Sequence, residues 1–265
     1  MARLKALYVD LDNTLLGRGA SILHDGEGKV SLLGVRAIEA CHRADVEVVI
    51  MSGRRRAQVM EDARLLGGSA YIFEAGAAVV DGPDVEWLTD PYMPDDGVGT
   101  VNEQVERGGA PQLLLDHFEG RLEYHDPWHL NREVSHLFRG AIDARDADAL
   151  LQEHGHDFLR LLDNGAIDRE GMHGYHLVPR GVSKGAAVAR HMRVRGYEPE
   201  EVIACGDSRE DLTAAEAAGT FWLVANAIDK DPMLVTDLPR NVRVAEAGHG
   251  AGVYEAVVTE LAERR

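Results

Sequence analysis

Four short segments of this chain gather carboxylates, hydroxyls and a lysine at spacings suited to chemistry at phosphorus. They are Asp10-Leu11-Asp12-Asn13-Thr14, Ser52-Gly53-Arg54, Gly181-Val182-Ser183-Lys184-Gly185 and Gly206-Asp207-Ser208-Arg209-Glu210-Asp211. Three or more carboxylates brought together repel one another and need a cation. Oxygen ligands without His or Cys favour a hard ion, Mg²⁺. A lysine, the Ser52 hydroxyl and helix N-terminal amides would hold an anion beside that ion. A carboxylate can attack phosphorus and form an acyl phosphate. A second carboxylate, two residues on, can protonate the leaving oxygen and then activate water.

These segments need a frame that brings them together. Apolar runs at 7–9, 46–51, 70–73, 201–205 and 221–225 read as buried strands. Helical spacing at 32–44, 57–66 and 211–218 falls between them. Buried strands alternating with helices mean an α/β fold, a Rossmann-like parallel sheet with helices on both faces. Ligands of such sheets bind beyond the carboxyl ends of the strands, where the chemical segments fall. Residues 84–180 read differently. Helices are expected at 112–118 and 144–154 and alternating strands at 134–138 and 158–162, with Asp163-Asn164-Gly165 as a turn. That mixture predicts a smaller α+β domain at 84–180, inserted into a core of 1–83 and 181–265. Asp81-Gly82-Pro83-Asp84 and Pro179-Arg180-Gly181 read as the linkers.

Composition narrows the function classes. The chain has 265 residues, 28 Lys+Arg and 45 Asp+Glu, for a net charge of −17. That charge repels phosphate backbones, so no nucleic-acid partner is expected. No apolar stretch is long enough to span a membrane. The first apolar run is too short for a signal peptide, and Cys41 and Cys205 are too few for a disulfide scaffold, so a reduced, cytoplasmic protein is expected. The expected partner is a small phosphorylated metabolite; the sequence leaves the oligomeric state open. Neither an ATP-binding P-loop nor the Gly-x-Ser-x-Gly elbow of serine hydrolases occurs.

The four segments resemble the haloacid dehalogenase superfamily of phosphotransferases. Asp10-Leu11-Asp12-Asn13-Thr14 matches its Asp-x-Asp-x-Thr motif, Ser52 the second motif, Lys184 the third, and Gly206 to Asp211 the fourth. Val224-Ala225-Asn226-Ala227 is similar to the stretch that follows in the Cof-like branch, which includes mannosyl-3-phosphoglycerate phosphatase-like members and carries its cap between the second and third motifs. The resemblance implies a Mg²⁺-dependent phosphatase acting on a small phosphate monoester, of sugar phosphate or phosphoglycerate type. It implies Asp10 as nucleophile and metal ligand. Asp12 would be the general acid/base and bind metal through its carbonyl. Thr14 would order the loop, and Ser52, Gly53, Arg54, Lys184 and Asn226 would surround the phosphoryl group. Asp207 and Asp211 would complete the metal site. Glu210 stands where many Cof-like members have Asn.

Taken singly, each motif has a plain structural reading, such as a strand-to-helix turn or a helix cap with first-turn acids. Their order, each at a strand end or helix start, is what favours chemistry. Arg55 and Arg56 read as a solvated helix face. Eight histidines in 84–180 show no zinc spacing. His125, Trp128, His129 and Arg132 read as an ordinary loop before a pocket lining. Two alternatives remain at this point: a phosphomannomutase-like phosphotransferase, and a non-catalytic binding protein on the same fold.

Overall fold

The first strand sets the architecture. In the computed structural model, which describes residues 2–167, 171–236 and 238–264, β1 (Ala6–Val9) is buried throughout and sits inside an eight-stranded sheet. Leu7 and Val9 join one apolar layer and Ala6 and Tyr8 the other, the alternation expected of a strand covered on both faces. β2 (Glu47–Met51) and β10 (Val202–Gly206) flank β1 in parallel. β3 (Ala70–Phe73) continues one side, and β11 (Thr220–Leu223) and β12 (Val242–Val244) the other, all parallel.

One edge departs from the all-parallel expectation. β4 (Ala78–Asp81) and β5 (Asp84–Trp87) add to β3 antiparallel. The segment Asp81 to Asp84, read from sequence as a linker, is the tight turn of this hairpin, with Gly82 at φ 59°. Gly-Pro punctuates a two-residue hairpin loop as readily as a linker. The large sheet therefore runs to Trp87, past the expected boundary at 83.

Helices α1 (Leu33–Arg43), α2 (Arg56–Leu65) and α9 (His249–Glu263) cover one face of the sheet. On the other lies α6 (Lys184–Arg195). The helix expected at 211–218 is instead the short α7 (Arg209–Leu212) followed by a 3-10 turn, Thr213–Glu216. A Ser208 capping box starts α7 early, and the Thr213 hydroxyl donates back to the Glu210 carbonyl at 2.6 Å, competing with regular helix bonding. α8 (Asn226–Lys230) follows β11.

Between β5 and α6 the chain builds a second layered unit. α3 (Val101–Arg107), α4 (Ala110–His117) and α5 (Ala144–Glu153) accompany an antiparallel sheet. Its strands run in the order β6 (Leu122–Tyr124), β7 (His136–Gly140), β9 (His173–Pro179), β8 (Leu159–Ala166). Phe138, Leu151 and Tyr175 belong to its own apolar core. Asp163-Asn164-Gly165, expected as a turn, lies within β8, where the register shifts between Asp163 and Ala166. Such an irregularity absorbs the turn-forming residues without ending the strand. Among the described residues, no helix is long and apolar enough to cross a membrane.

Candidate active site

Strand register brings the chemical residues to one edge. Val9 pairs with Cys205 on one side and Ile50 on the other, so Asp10, Asp207 and Ser52 all emerge just past the same row. Gly206 makes the next step possible. A Cβ there would lie 2.2 Å from the Asp211 Cβ, so only glycine lets Asp211 fold back over the strand end. Asp211 Oδ2 accepts from the Asp207 and Ser208 amides, each at 3.0 Å, and from the Ser208 hydroxyl at 2.7 Å. The carboxylates of Asp10, Asp207 and Asp211 each offer an oxygen within 4.8 Å of the others, and all three side chains are buried.

Lys184 ties this group together. Its Nζ donates to Asp10 Oδ1 at 2.7 Å and to Asp211 Oδ1 at 2.5 Å, and the residue is 2% exposed. It opens α6 behind the cap residue Ser183, whose hydroxyl accepts from the Ala186 amide at 3.0 Å. Asp207 is held from two sides, by the Thr14 hydroxyl at 3.0 Å and by Lys230 Nζ at 2.8 Å. Lys230 was not singled out from the sequence. It lies four residues after Asn226 on α8, on the same helix face.

The electrostatics follow from burial. Burial pushes the Asp10 carboxyl well above its ordinary range; Lys184 pulls it back, and Asp211 and Asp207 push it up again. Asp207 is raised by burial too, with Lys230 opposing and Asp211 adding. Burial works against the charge on Lys184, yet Asp10 and Asp211 outweigh it and hold the ammonium charged. Three carboxylates thus face two ammonium groups. A phosphoryl dianion added here would leave a clear negative excess, which a divalent cation offsets. The all-oxygen donor set fits Mg²⁺.

Other sequence-selected residues sit in different relations. Asp12 lies apart from the buried trio, gripped by Arg54 through Nε at 2.8 Å and Nη2 at 2.6 Å. Arg54 also donates to Asp62 at 2.8 Å. Burial opposes the Arg54 charge, and Asp12 and Asp62 more than compensate. Ser52 is 1% exposed, and its hydroxyl accepts from the Arg54 amide at 3.2 Å. Asn226 ties loops: Nδ2 donates to the Asn13 carbonyl and Oδ1 accepts from the His249 amide, both at 2.8 Å. Glu210 accepts from the Lys184 amide at 3.0 Å and faces Arg160 of β8 at 3.6 Å. Burial, against the pull of Arg160, pushes its carboxyl up to about 7.

A further group escaped sequence reasoning. Glu74 is fully buried after β3, at φ 45°. It accepts hydrogen bonds from the amides of Glu133, Val134 and Ser135 and from the Ser135 hydroxyl, at 2.7–3.1 Å. Its own amide donates to the Arg54 carbonyl at 3.0 Å. One side chain therefore links the Ser52 loop to the inserted unit. Arg132, read as loop, is buried and donates to the Gly53 carbonyl at 3.0 Å. A lone Glu at a strand end carries no signal that its partners lie about 60 residues away.

Comparison with known proteins gives consistent results. A family model described as haloacid dehalogenase-like hydrolase matches residues 116–231. A phosphoglycolate phosphatase of Halorubrum lacusprofundi is 31% identical over 202 residues, covering 74% of this chain and 78% of that protein. One from Methanoculleus marisnigri is 29% identical over 267 residues, covering 96% and 95%. The sucrose-phosphatase of Synechocystis, solved with sucrose and phosphate, superposes with a TM-score of 0.69 at 18% identity, covering 97% of this chain and 98% of that one.

Proposed function

This chain belongs to the haloacid dehalogenase-like hydrolases and is a phosphoric monoester hydrolase acting on small phosphate substrates, and on that premise we propose that Asp10 is its nucleophile and Mg²⁺ its cofactor. The observation that carries this reading is the buried Lys184, bridging Asp10 and Asp211 beside Asp207. Asp10, the Asp12 carbonyl, Asp207 and Asp211 are the residues that would hold the ion. When bound, Mg²⁺ supplies positive charge that steadies the phosphoryl oxygens.

The remaining chemistry belongs to the chain. Lys184 fixes the Asp10 carboxylate and, with Ser52 and the Gly53 amide, holds the phosphoryl group in line with it. An Asp10 oxygen bonds to phosphorus as the ester P–O bond breaks. With one oxygen released from Arg54 and protonated, and the other still accepting from Arg54 Nε, Asp12 gives that proton to the departing alkoxide. Asp12 then takes a proton from water, whose oxygen attacks phosphorus, releasing phosphate and restoring Asp10. Arg54 thereby acts as a positioning residue for Asp12. The inserted unit, expected at 84–180 and entered after Trp87, is proposed as the cap that limits water and chooses the leaving group.

The substrate class proposed is a sugar phosphate or a phosphoglycerate-type ester. The relatives' shared name, phosphoglycolate phosphatase, adds a short carboxylate-bearing ester to the candidates. Phosphate release from a panel of these esters, with and without Mg²⁺, tests the reading. Release that stops with chelation and returns with Mg²⁺ supports it. Hexose bisphosphate accumulating without free phosphate would point to a phosphomutase instead.

A further inference from the structure

The inserted unit turns one histidine toward the loop that follows Ser52. His176, on β9, is 1% exposed. Its Nε2 lies 3.1 Å from where a Cβ on Gly53 would stand, and the Asn164 amide nitrogen of β8 lies 3.5 Å from the same point. The other ring nitrogen, Nδ1, is 3.1 Å from the Ser135 hydroxyl. That hydroxyl gives its one proton to Glu74 at 2.9 Å and accepts from Arg132 Nη1 at 3.0 Å. A hydroxyl has one donor and two acceptor sites. The Nδ1 contact must therefore fill the second acceptor site as an N–H. In the neutral ring Nε2 is then a bare acceptor. Burial, and after it the charges of Arg132, Lys184 and His125, keep the ring neutral by holding its pKa well below the ordinary histidine value.

Three arginines around this loop are already engaged. Arg54 holds Asp12 and Asp62. Arg55 donates to the Leu130 carbonyl and to Gln58. Arg132 donates to the Trp128 and Gly53 carbonyls as well as to Ser135.

We propose that His176 Nε2, with Asn164 beside it, receives the substrate's leaving group and selects one bearing a hydroxyl over one bearing a carboxylate. This rests on the reading of Asp10 and Lys184 as a phosphoester-hydrolysing centre. A hydroxyl can donate to a bare ring nitrogen. A carboxylate would meet it lone pair to lone pair, with the guanidinium groups of Arg54, Arg55 and Arg132 committed elsewhere. Phosphorylated polyols and sugars fit; phosphoglycolate, named for the relatives, does not. Ser135 and Glu74 act as positioning residues that set the tautomer.

The test compares kcat/KM for glycerol 1-phosphate, a hexose phosphate, phosphoglycolate and an aryl phosphate, all with Mg²⁺. The native enzyme is expected to favour the hydroxylated esters over phosphoglycolate by at least about tenfold. His176→Leu lowers the hydroxylated esters about tenfold and the aryl phosphate less than about threefold. His176→Gln, whose amide oxygen can accept at similar reach, recovers part of the loss. Should His176→Leu fail to fold, His176→Asn, whose shorter amide falls short of the leaving group, is expected to narrow the same ratio. A native preference for phosphoglycolate, or equal losses on aryl and hydroxylated esters, would overturn the assignment while leaving the phosphatase reading intact. Failure of the native enzyme to hydrolyse any ester overturns that reading instead, and this one with it.

Discussion

Replacing Glu74 with Gln isolates the link between the sheet edge and the inserted unit. The substitution keeps size and leaves the backbone at φ 45° with a comparable side chain; glycine would relieve that conformation and confound the result. Glu74 is 0% exposed and accepts four hydrogen bonds. Bonds to a charged acceptor are worth about 1.5–3 kcal/mol each, although they do not add. The amide oxygen can still serve Val134 and Ser135 if it takes the Oε2 position. Its NH₂ group then meets the Glu133 amide, which stands 2.8 Å from Oε1, donor against donor. One bond becomes repulsive and three lose their charge assistance. The expected cost is about 2–4 kcal/mol, within the stability of a typical folded domain. It is read from the urea midpoint at unchanged slope, and from faster hydrogen exchange at the amides of residues 133–135. A loss below about 0.5 kcal/mol, or unchanged exchange at those amides, would refute the reasoning.

Three further outcomes are expected. Asp207→Asn should raise the Mg²⁺ concentration for half-maximal activity by at least about tenfold; an unchanged titration would remove Asp207 from the metal site. Arg54→Met should lower kcat about a hundredfold on every ester alike, because Asp12 loses its fork; a loss confined to KM would assign Arg54 to substrate binding. The share of stability that rests on two buried histidines should also fall on acidification. Burial lowers the pKa of both His176 and His136 in the folded protein. As pH drops through about 6.5 the unfolded chain takes up protons that the folded protein refuses, so the contribution present above that pH is lost below it. Glu210, pushed up to about 7, acts in the opposite sense, so the histidine share is read as the difference in urea midpoint between the native protein and His136→Leu; a difference unchanged between about pH 7.5 and 5.5 would contradict this.

Much of the frame was legible because its signals are local. The β-branched run ending at Met51 and the apolar run ending at Cys205 each announce a buried strand, and the residue after each is where a parallel sheet binds ligands. The grouping of Asp10, Asp207 and Asp211 followed from that rule. What escaped was decided by distant partners. The β4–β5 hairpin and a domain linker share the same Gly-Pro punctuation, and only pairing with β3 distinguishes them. Asp163 to Gly165 carries turn chemistry, yet pairing with β9 keeps it in a strand. Arg54 was expected beside the phosphoryl group, and its engagement with Asp12 depends on the bend at Gly53 and Arg54, which no spacing reveals. Glu74 and His176 gain meaning only through Ser135, far from either in sequence.

The most direct test of the central claim is to trap the covalent intermediate on Asp10. Enzyme mixed with Mg²⁺ and an aryl phosphate is quenched during turnover, treated with borohydride, and digested for peptide mass spectrometry. Borohydride reduces an acyl phosphate to an alcohol, so homoserine in place of Asp10, dependent on substrate, is the expected result. Phosphate released in turnover with Asp10 unmodified, or with the modification on another carboxylate, would contradict it.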